Sequence, residues 1–142
     1  MLHLEFNSES ENERIARVVT AAYIMKFDPN IEEMDDIKTA VSEAVTNCIV
    51  HAYVNENGKI SMDLSDENGI FKIEIKDGGI GIKDVKKAME PMYTTKPEEE
   101  RTGMGFSFME AFMDEVKVIS KEGCGTKVIM TKKMGEIKRR NG

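Results

Sequence analysis

Five segments of the chain alternate between apolar and polar side chains, which is typical of β-strands with one buried face. These segments are LHLEF (2–6), KISMDLSD (59–66), IFKIEIKD (70–77), VKVISK (116–121) and TKVIMTKK (126–133). The acidic turn at Glu67–Gly69 joins the second and third segments into a predicted hairpin, and the turn EGCG joins the last two. LHLEF is short and is expected at a sheet edge.

Four other segments place apolar residues at helical spacing. They are residues 8–27, about 32–53, 84–90 and 104–115. The first is expected to be capped at Ser8 and to stop at Asp28, because the residue before a proline is disfavoured in a helix. Residues 91–103 contain two prolines and almost no apolar periodicity, so they are predicted to form a long loop of the kind that often serves as a lid.

This order of strands and helices predicts an α+β fold. One strand, two helices, two strands, a loop, a helix and two further strands give a two-layer α/β sandwich, with helices on one face of a mixed, mostly antiparallel sheet. The sequence contains no internal repeat, so residues 1–142 are predicted to form a single domain. The basic tail, from about 134 to 142, is expected to be frayed.

Composition narrows the class of protein. A hydrophobic content of 40% and a charged content of 32% fit a soluble globular domain, and the net charge of -6 argues against direct nucleic-acid binding. No signal peptide or membrane span of ~20 apolar residues is evident. Two cysteines and two distant histidines form neither a disulfide framework nor a zinc pattern, so a reduced, cytoplasmic protein is expected. Cys48 is expected to be a small buried hydrophobe and Cys124 a turn residue.

The stretch EAVTNCIVHAY (43–53) carries three polar residues at spacings of four. Four residues advance a helix by about 400°, so Glu43 and Asn47 lie one turn apart on nearly the same face, with His51 a turn further along. Two interpretations stay open. These residues are surface polar groups, or they are an acid that takes a proton beside an amide oxygen that holds a metal.

Two glycine clusters occur where strands end and helices begin. In DGGIGI (77–82), the carboxylate of Asp77 can accept a hydrogen bond from an exocyclic amine, while Gly79 and Gly81 let a flat ring lie against bare backbone. In RTGMGFS (101–107), backbone amides at a helix start would suit a polyphosphate. A plain turn and a flexible helix entry are the alternatives. Neither cluster is a Walker A loop or a Rossmann fingerprint.

The order of these motifs resembles the Bergerat ATP-binding fold, the family of gyrase B, MutL and histidine kinases. E-x-x-x-N on a helix is followed by D-x-G-x-G, a lid, G-x-G at a helix start and G-T in a strand turn. The chain leaves no room for the extra domains of gyrase B or MutL, and no separate helix pair carries an acceptor histidine. The stretches SENERIAR, SEAVTNCIVHAY and TTKPEEERTGMGF are similar to those of the freestanding serine-kinase branch, the sporulation anti-sigma F factors.

This resemblance implies the central roles. It implies that Asn47 ligates Mg²⁺ and that Glu43 is the general base for an incoming serine hydroxyl. It also implies that Asp77 recognises the adenine amino group of ATP or ADP, supported by Thr126. The spacing of four would then set the base beside the metal.

The resemblance assigns further residues to the nucleotide. Arg101, as a catalytic residue, and Lys96 are expected near the γ-phosphate, where they would offset charge during transfer. The other implied nucleotide contacts are Gly79, Gly81, Thr95, Gly103, Met104, Gly105 and Phe106. Two positions depart from the family pattern, since Ala52 follows His51 where glycine is common and Gly78 occupies a site that is often acidic; altered nucleotide affinity at most is expected.

The resemblance also implies partners. They are an RNA polymerase sigma factor of the sigma F type, which is held inactive, and an anti-anti-sigma protein, which is phosphorylated on serine; a homodimer is implied as well. Glu13 and Arg17 match partner-contact positions, although an ordinary surface ion pair has the same spacing. Two alternatives remain: a stress-response kinase of the sigma B type, and a non-catalytic module in which ATP only orders the lid for sigma.

Overall fold

The computed structural model describes residues 1–53, 57–82, 84–89 and 105–135. Within these ranges the regular elements are, in chain order, β1 (Leu2–Asn7), α1 (Ser10–Ile24), α2 (Ile31–Asn47), β2 (Lys59–Glu67), β3 (Ile70–Asp77), α3 (Val85–Ala88), α4 (Gly105–Phe112), β4 (Glu115–Ser120) and β5 (Thr126–Lys133). A 3-10 turn, Met25–Phe27, follows α1, and a π-helical segment, Cys48–Ala52, continues α2. Among these helices none has the length and apolar character needed to cross a membrane.

The five strands form one sheet in the order β1-β2-β3-β5-β4, and all four described pairings are antiparallel. β1 lies at one edge, as predicted. Alternate residues of the inner strands are buried against the helices, including Ile60, Met62, Leu64, Ile73, Ile75, Val128 and Met130. They share one core with apolar residues of α1, α2 and α4. The predicted two-layer α+β sandwich is confirmed.

The first helix begins two residues later than predicted. Ser8 does not cap it; its hydroxyl instead accepts a hydrogen bond from Gly58 N–H at 2.9 Å, which ties the end of β1 to the start of β2. Glu9 occupies the N-cap position without a side-chain capping bond. The second helix, in contrast, starts with a complete capping box between Asn30 and Glu33, with distances of 2.7 and 3.0 Å.

The second helix does not run unchanged to residue 53. After Asn47 it widens into the π-helical segment, which ends at Ala52 and is followed by Tyr53. π-helical turns are rare and occur frequently at functional sites. This one directly follows the Glu43–Asn47 pair.

Turn chemistry closes the first hairpin as the sequence predicts. Asn68 and Gly69 both have positive φ, of 53° and 80°, as a tight two-residue hairpin turn requires. Met134 N–H donates to Gly69 O at 2.8 Å, so the chain after β5 returns to this turn. Of the predicted basic tail, the part beyond residue 135 lies outside the described residues.

Candidate functional site

Glu43 and Asn47 lie on the last two turns of α2, on the side that is turned into the molecule. Glu43 is 5% exposed, so it is not a surface polar residue. The Oδ1 atom of Asn47 is buried and accepts no hydrogen bond from any described residue. A buried carbonyl oxygen without a donor is costly unless a ligand satisfies it. The structure therefore favours the second interpretation of this motif, an acid beside an amide oxygen suited to a ligand.

The first residue of α4 packs directly against the Asn47 carboxamide. A Cβ atom built on Gly105 would lie 3.0 Å from Asn47 Nδ2 and 3.2 Å from Oδ1. Any side chain at this position would push the carboxamide aside. The fold thus brings the E-x-x-x-N motif next to Gly105, the described glycine of the second cluster.

Asp77 ends β3 and is 4% exposed. Its Oδ1 accepts a hydrogen bond from Gly79 N–H at 2.9 Å, and its Oδ2 accepts one from the Cys48 thiol at 3.3 Å. Burial raises the pKa of Asp77, while these hydrogen bonds act in the opposite direction. Burial also raises the pKa of the Cys48 thiol well above its usual value, and the neighbouring Asp77 charge adds to this. Cys48 is thus buried, as predicted, and it stays a neutral donor that orients the carboxylate.

The glycines after Asp77 allow two close backbone contacts. A Cβ on Gly79 would lie 2.3 Å from Ala52 O, and one on Gly81 would lie 2.1 Å from Lys121 O. Gly81 also has a φ of +75°, which favours glycine. Ile80 N–H donates to Ala52 O at 3.1 Å. The loop is therefore held between the π-helical segment and the β4–β5 turn, which leaves it no room for side chains at either glycine.

Thr126 lies beside Asp77, because the two are partners in the antiparallel β3–β5 pairing. Thr126 is 9% exposed, and its Oγ1 is 2.7 Å from Ser120 Oγ. Ser120 also contacts Ile82 N and Gly125 O, at 2.7 and 2.8 Å. This serine joins the D-x-G-x-G loop to the G-T turn.

Three side chains that shape the site were not predicted from the sequence. Ser120 and Cys48 contact Thr126 and Asp77, and Tyr53 accepts a hydrogen bond from Gly78 N–H while donating to Lys59 O, both at 2.6 Å. Only Ser120 carried a usable signal, a hydroxyl residue at a strand end just before a G-T turn. The contacts of Cys48 and Tyr53 depend on how α2 meets the sheet.

Other predicted residues fall elsewhere. Phe106 is half-buried and packs against the core. Glu13 and Arg17 form an ion pair of 2.8 Å on α1, in a groove of about 420 Å³ whose lining includes Thr46 and Ile49 of the second helix and its π-helical extension. The predicted residues that lie outside the described part of the chain are Thr95, Lys96, Arg101, Gly103 and Met104.

Comparison with known structures agrees with this architecture. The catalytic domain of the histidine kinase ThkA superposes with a TM-score of 0.59 at 23% identity, covering 95% of this chain and 97% of that one. The RsbU and RsbW domains of a Mycobacterium tuberculosis protein give a TM-score of 0.63 at 17% identity, covering 93% of this chain and 31% of that one. At these identities the likeness shows the fold alone.

Sequence comparison identifies the family. Residues 6–132 match the histidine kinase-like ATPase domain. The anti-sigma F factor of Caldanaerobacter subterraneus subsp. tengcongensis is 55% identical over 135 residues, 95% of this chain and 94% of that protein. The anti-sigma F factor of Clostridium acetobutylicum is 51% identical over 136 residues, 96% of this chain and 95% of that protein. The chain therefore belongs to the histidine kinase-like ATPase domain family and, within it, to the anti-sigma F factors.

Proposed function

We propose that this protein is a Mg-ATP-dependent serine kinase that also binds and inhibits an RNA polymerase sigma factor of the sigma F type. Its second partner is an anti-anti-sigma protein, which it phosphorylates on serine and so inactivates. The observation that carries the proposal is the pairing of buried Glu43 with the unsatisfied amide oxygen of Asn47, beside the bare backbone of Gly105. The anti-sigma name of relatives about half identical to this chain supports the sigma partner.

The adenine end of the site is assigned to Asp77. Its carboxylate accepts three hydrogen bonds from the protein, from Cys48, Gly79 and the backbone of Thr126, and with four lone pairs it retains capacity for an exocyclic amine. Gly79 and Gly81 hold the loop after Asp77 close against Ala52 and Lys121, and its backbone is assigned as the wall against which a flat ring would lie. Thr126 supports the same edge of the base.

The phosphate end is assigned to Asn47 and to the start of α4. Mg²⁺ prefers oxygen ligands and usually takes few from the protein, so the unsatisfied Oδ1 of Asn47 fits it. When bound, Mg²⁺ would neutralise charge on the phosphates. Gly105 leaves room beside this oxygen, and Gly103, Met104, Thr95 and Lys96 would complete the phosphate contacts.

Glu43 is assigned as the general base. One turn before Asn47, its carboxylate would take the proton of the serine hydroxyl as the serine oxygen forms a bond to the γ-phosphorus. The bond from the γ-phosphorus to the bridging oxygen breaks in the same transfer, and ADP leaves. Arg101 would offset the charge that develops on the transferred group.

The partner surface is assigned to α1. Glu13 and Arg17 stand in a groove that is separate from the nucleotide residues, since Ser42 and Thr46 of α2 line it while Glu43 and Asn47 do not. The Nε atom of Arg17 faces Glu13 at 2.8 Å, and the side chain as a whole is 36% exposed. The exposed part of the guanidinium would take a partner carboxylate.

A homodimer and a cytoplasmic, single-domain protein complete the proposal. Three large apolar side chains of α1 and the following turn are half exposed or more: Ile15, Val18 and Met25, at 52%, 61% and 55%. They lie on one side of the helix, as an interface between copies would need. The edge of β1, in the sheet layer, is a second surface at which copies could pair.

Mg-dependent ATP binding tests the nucleotide assignment. Wild type and Asn47→Ala would be titrated with ATP, with and without Mg²⁺. We expect Mg²⁺ to strengthen ATP binding to wild type. It should have little effect on ATP binding to Asn47→Ala, because this variant lacks the amide oxygen that is proposed to hold the metal. Ser107→Ala, on α4 and outside the proposed contacts, is the matched control. An equal Mg²⁺ effect in wild type and Asn47→Ala would refute the metal assignment.

A further inference from the structure

The Ser120 hydroxyl makes three hydrogen-bond contacts, and none of the roles proposed above uses it. Its Oγ lies 2.7 Å from Ile82 N, 2.8 Å from Gly125 O and 2.7 Å from Thr126 Oγ1. Ser120 is half-buried at the end of β4. Its three partners belong to the loop after Asp77 and to the β4–β5 turn.

The protons in this cluster can be assigned by counting. A serine hydroxyl has one proton and two lone pairs. Gly125 O can only accept, so it takes the Ser120 proton, and Ile82 N–H can only donate, so it occupies one lone pair. The contact with Thr126 must then be donated by Thr126 Oγ1–H into the second lone pair. Thr126 is left with lone pairs alone for any ligand.

Two acceptors consequently lie side by side where β3 ends and β5 begins. Asp77 and Thr126 are register partners, and the backbone N–H of Thr126 hydrogen-bonds the Asp77 carboxylate. An amino group, or a water that donates to both, satisfies such a pair. A ring carbonyl in the same place would face lone pairs and would lose its own hydrogen bonds to water.

We propose that Ser120 is a positioning residue that fixes Thr126 as a hydrogen-bond acceptor, so that the site selects a purine with a 6-amino group over a 6-oxo purine. Ser120 does not touch the nucleotide; it acts through Thr126. This inference rests on the proposed nucleotide site at Asp77.

Binding of ATP and of inosine triphosphate, which carries a carbonyl in place of the amino group, tests the proposal. Wild type should bind ATP at least roughly tenfold more tightly than it binds inosine triphosphate. Ser120→Ala frees the Thr126 proton to donate to the carbonyl, so the ATP preference should fall by about threefold or more. Thr126→Val should also lower it, and adding Ser120→Ala to Thr126→Val should change it no further.

The ratio of the two affinities is decisive. If Ser120 were merely structural, its removal would weaken the binding of ATP and of inosine triphosphate alike. An unchanged preference in Ser120→Ala, or in Thr126→Val if Ser120→Ala does not fold, overturns the inference. A second drop on adding Ser120→Ala to Thr126→Val also overturns it, since Ser120 would then act independently of Thr126. Wild type that fails to bind ATP at all would overturn the proposed function itself, which is a distinguishable result.

Discussion

Individual buried polar atoms decide what the site can bind. The spacing of Glu43 and Asn47, and the D-x-G-x-G motif, could be read from the sequence. The burial of Glu43, the unsatisfied Oδ1 of Asn47 and the Cys48 thiol bond to Asp77 could not, because each depends on packing between distant segments. Cys48 is an example. The sequence predicts only that it is a small buried hydrophobic residue, whereas in the fold its thiol donates a hydrogen bond to Asp77.

The proposed role of Asp77 predicts that nucleotide binding depends on pH. Its pKa is raised above the usual 3.8, mainly by burial. Only the ionised carboxylate is purely an acceptor, so the affinity for ATP should fall as the pH drops through this raised pKa. The fall should occur at a higher pH than it would for an ordinary aspartate. Asp77→Asn should bind about 10- to 100-fold more weakly and should lose this pH dependence. Equilibrium titrations across a pH series measure both effects.

The same shift fixes the sign of a stability effect. Between 3.8 and the raised value, the folded state holds more protons than the unfolded state, so rising pH costs stability in that window. Asp77→Asn removes this contribution, and urea denaturation should show a flatter pH profile for the variant. The proposed role of Asp77 would be contradicted if stability in Asp77→Asn depended on pH as it does in wild type, or if this variant bound ATP as tightly as wild type.

Elements were predicted well where one periodicity dominates. All five strands and both hairpins follow from alternation, and the hairpin turn at Asn68–Gly69 follows from its residue types. The predicted start of α1 was wrong, because the Ser8 hydroxyl does not cap the helix and accepts a hydrogen bond from Gly58 N–H instead. The π-helical segment was also missed, since its apolar residues fit an ordinary helix equally well.

The contact between α2 and α4 predicts the effect of Gly105→Ala. Gly105 is the first residue of α4, so alanine gains less there than the roughly 1 kcal/mol of a helix interior, and thermal denaturation of the variant should show little change from wild type. Its Cβ would press on the Asn47 carboxamide at about 3.0 Å and displace it. Mg-dependent ATP binding should therefore weaken although stability does not. Ser107→Ala on the same helix is the control, and wild-type ATP affinity in Gly105→Ala would show that this contact is unimportant.

At the scale of the whole molecule, one helix serves two surfaces. α2 carries Glu43 and Asn47 toward the proposed nucleotide site, while Ser42 and Thr46 line the groove beside Glu13 and Arg17. The sequence predicted both residue sets but not the groove that surrounds the second, which forms only where α1 packs on α2.

Arg17→Ala tests the partner surface. Its ion pair with Glu13 is partly exposed, so stability should change by no more than about 0.5 kcal/mol. Binding to a sigma F-type factor should weaken by roughly tenfold or more if Arg17 is an interface anchor. Arg14→Ala removes the same charge from an exposed position of the same helix and should have a smaller effect. Equal losses in the two variants, measured by calorimetry, would assign the effect to net charge instead.

The most direct test is transfer of labelled γ-phosphate from Mg-ATP to an anti-anti-sigma protein, with wild type and Glu43→Gln side by side and ATP binding measured for both. Glutamine keeps the size and burial of Glu43 but cannot take a proton. We predict acid-stable label on serine with wild type, and ATP binding with almost no transfer in Glu43→Gln. Undiminished transfer by Glu43→Gln would contradict the assigned base, and no transfer by ATP-bound wild type would contradict the kinase itself.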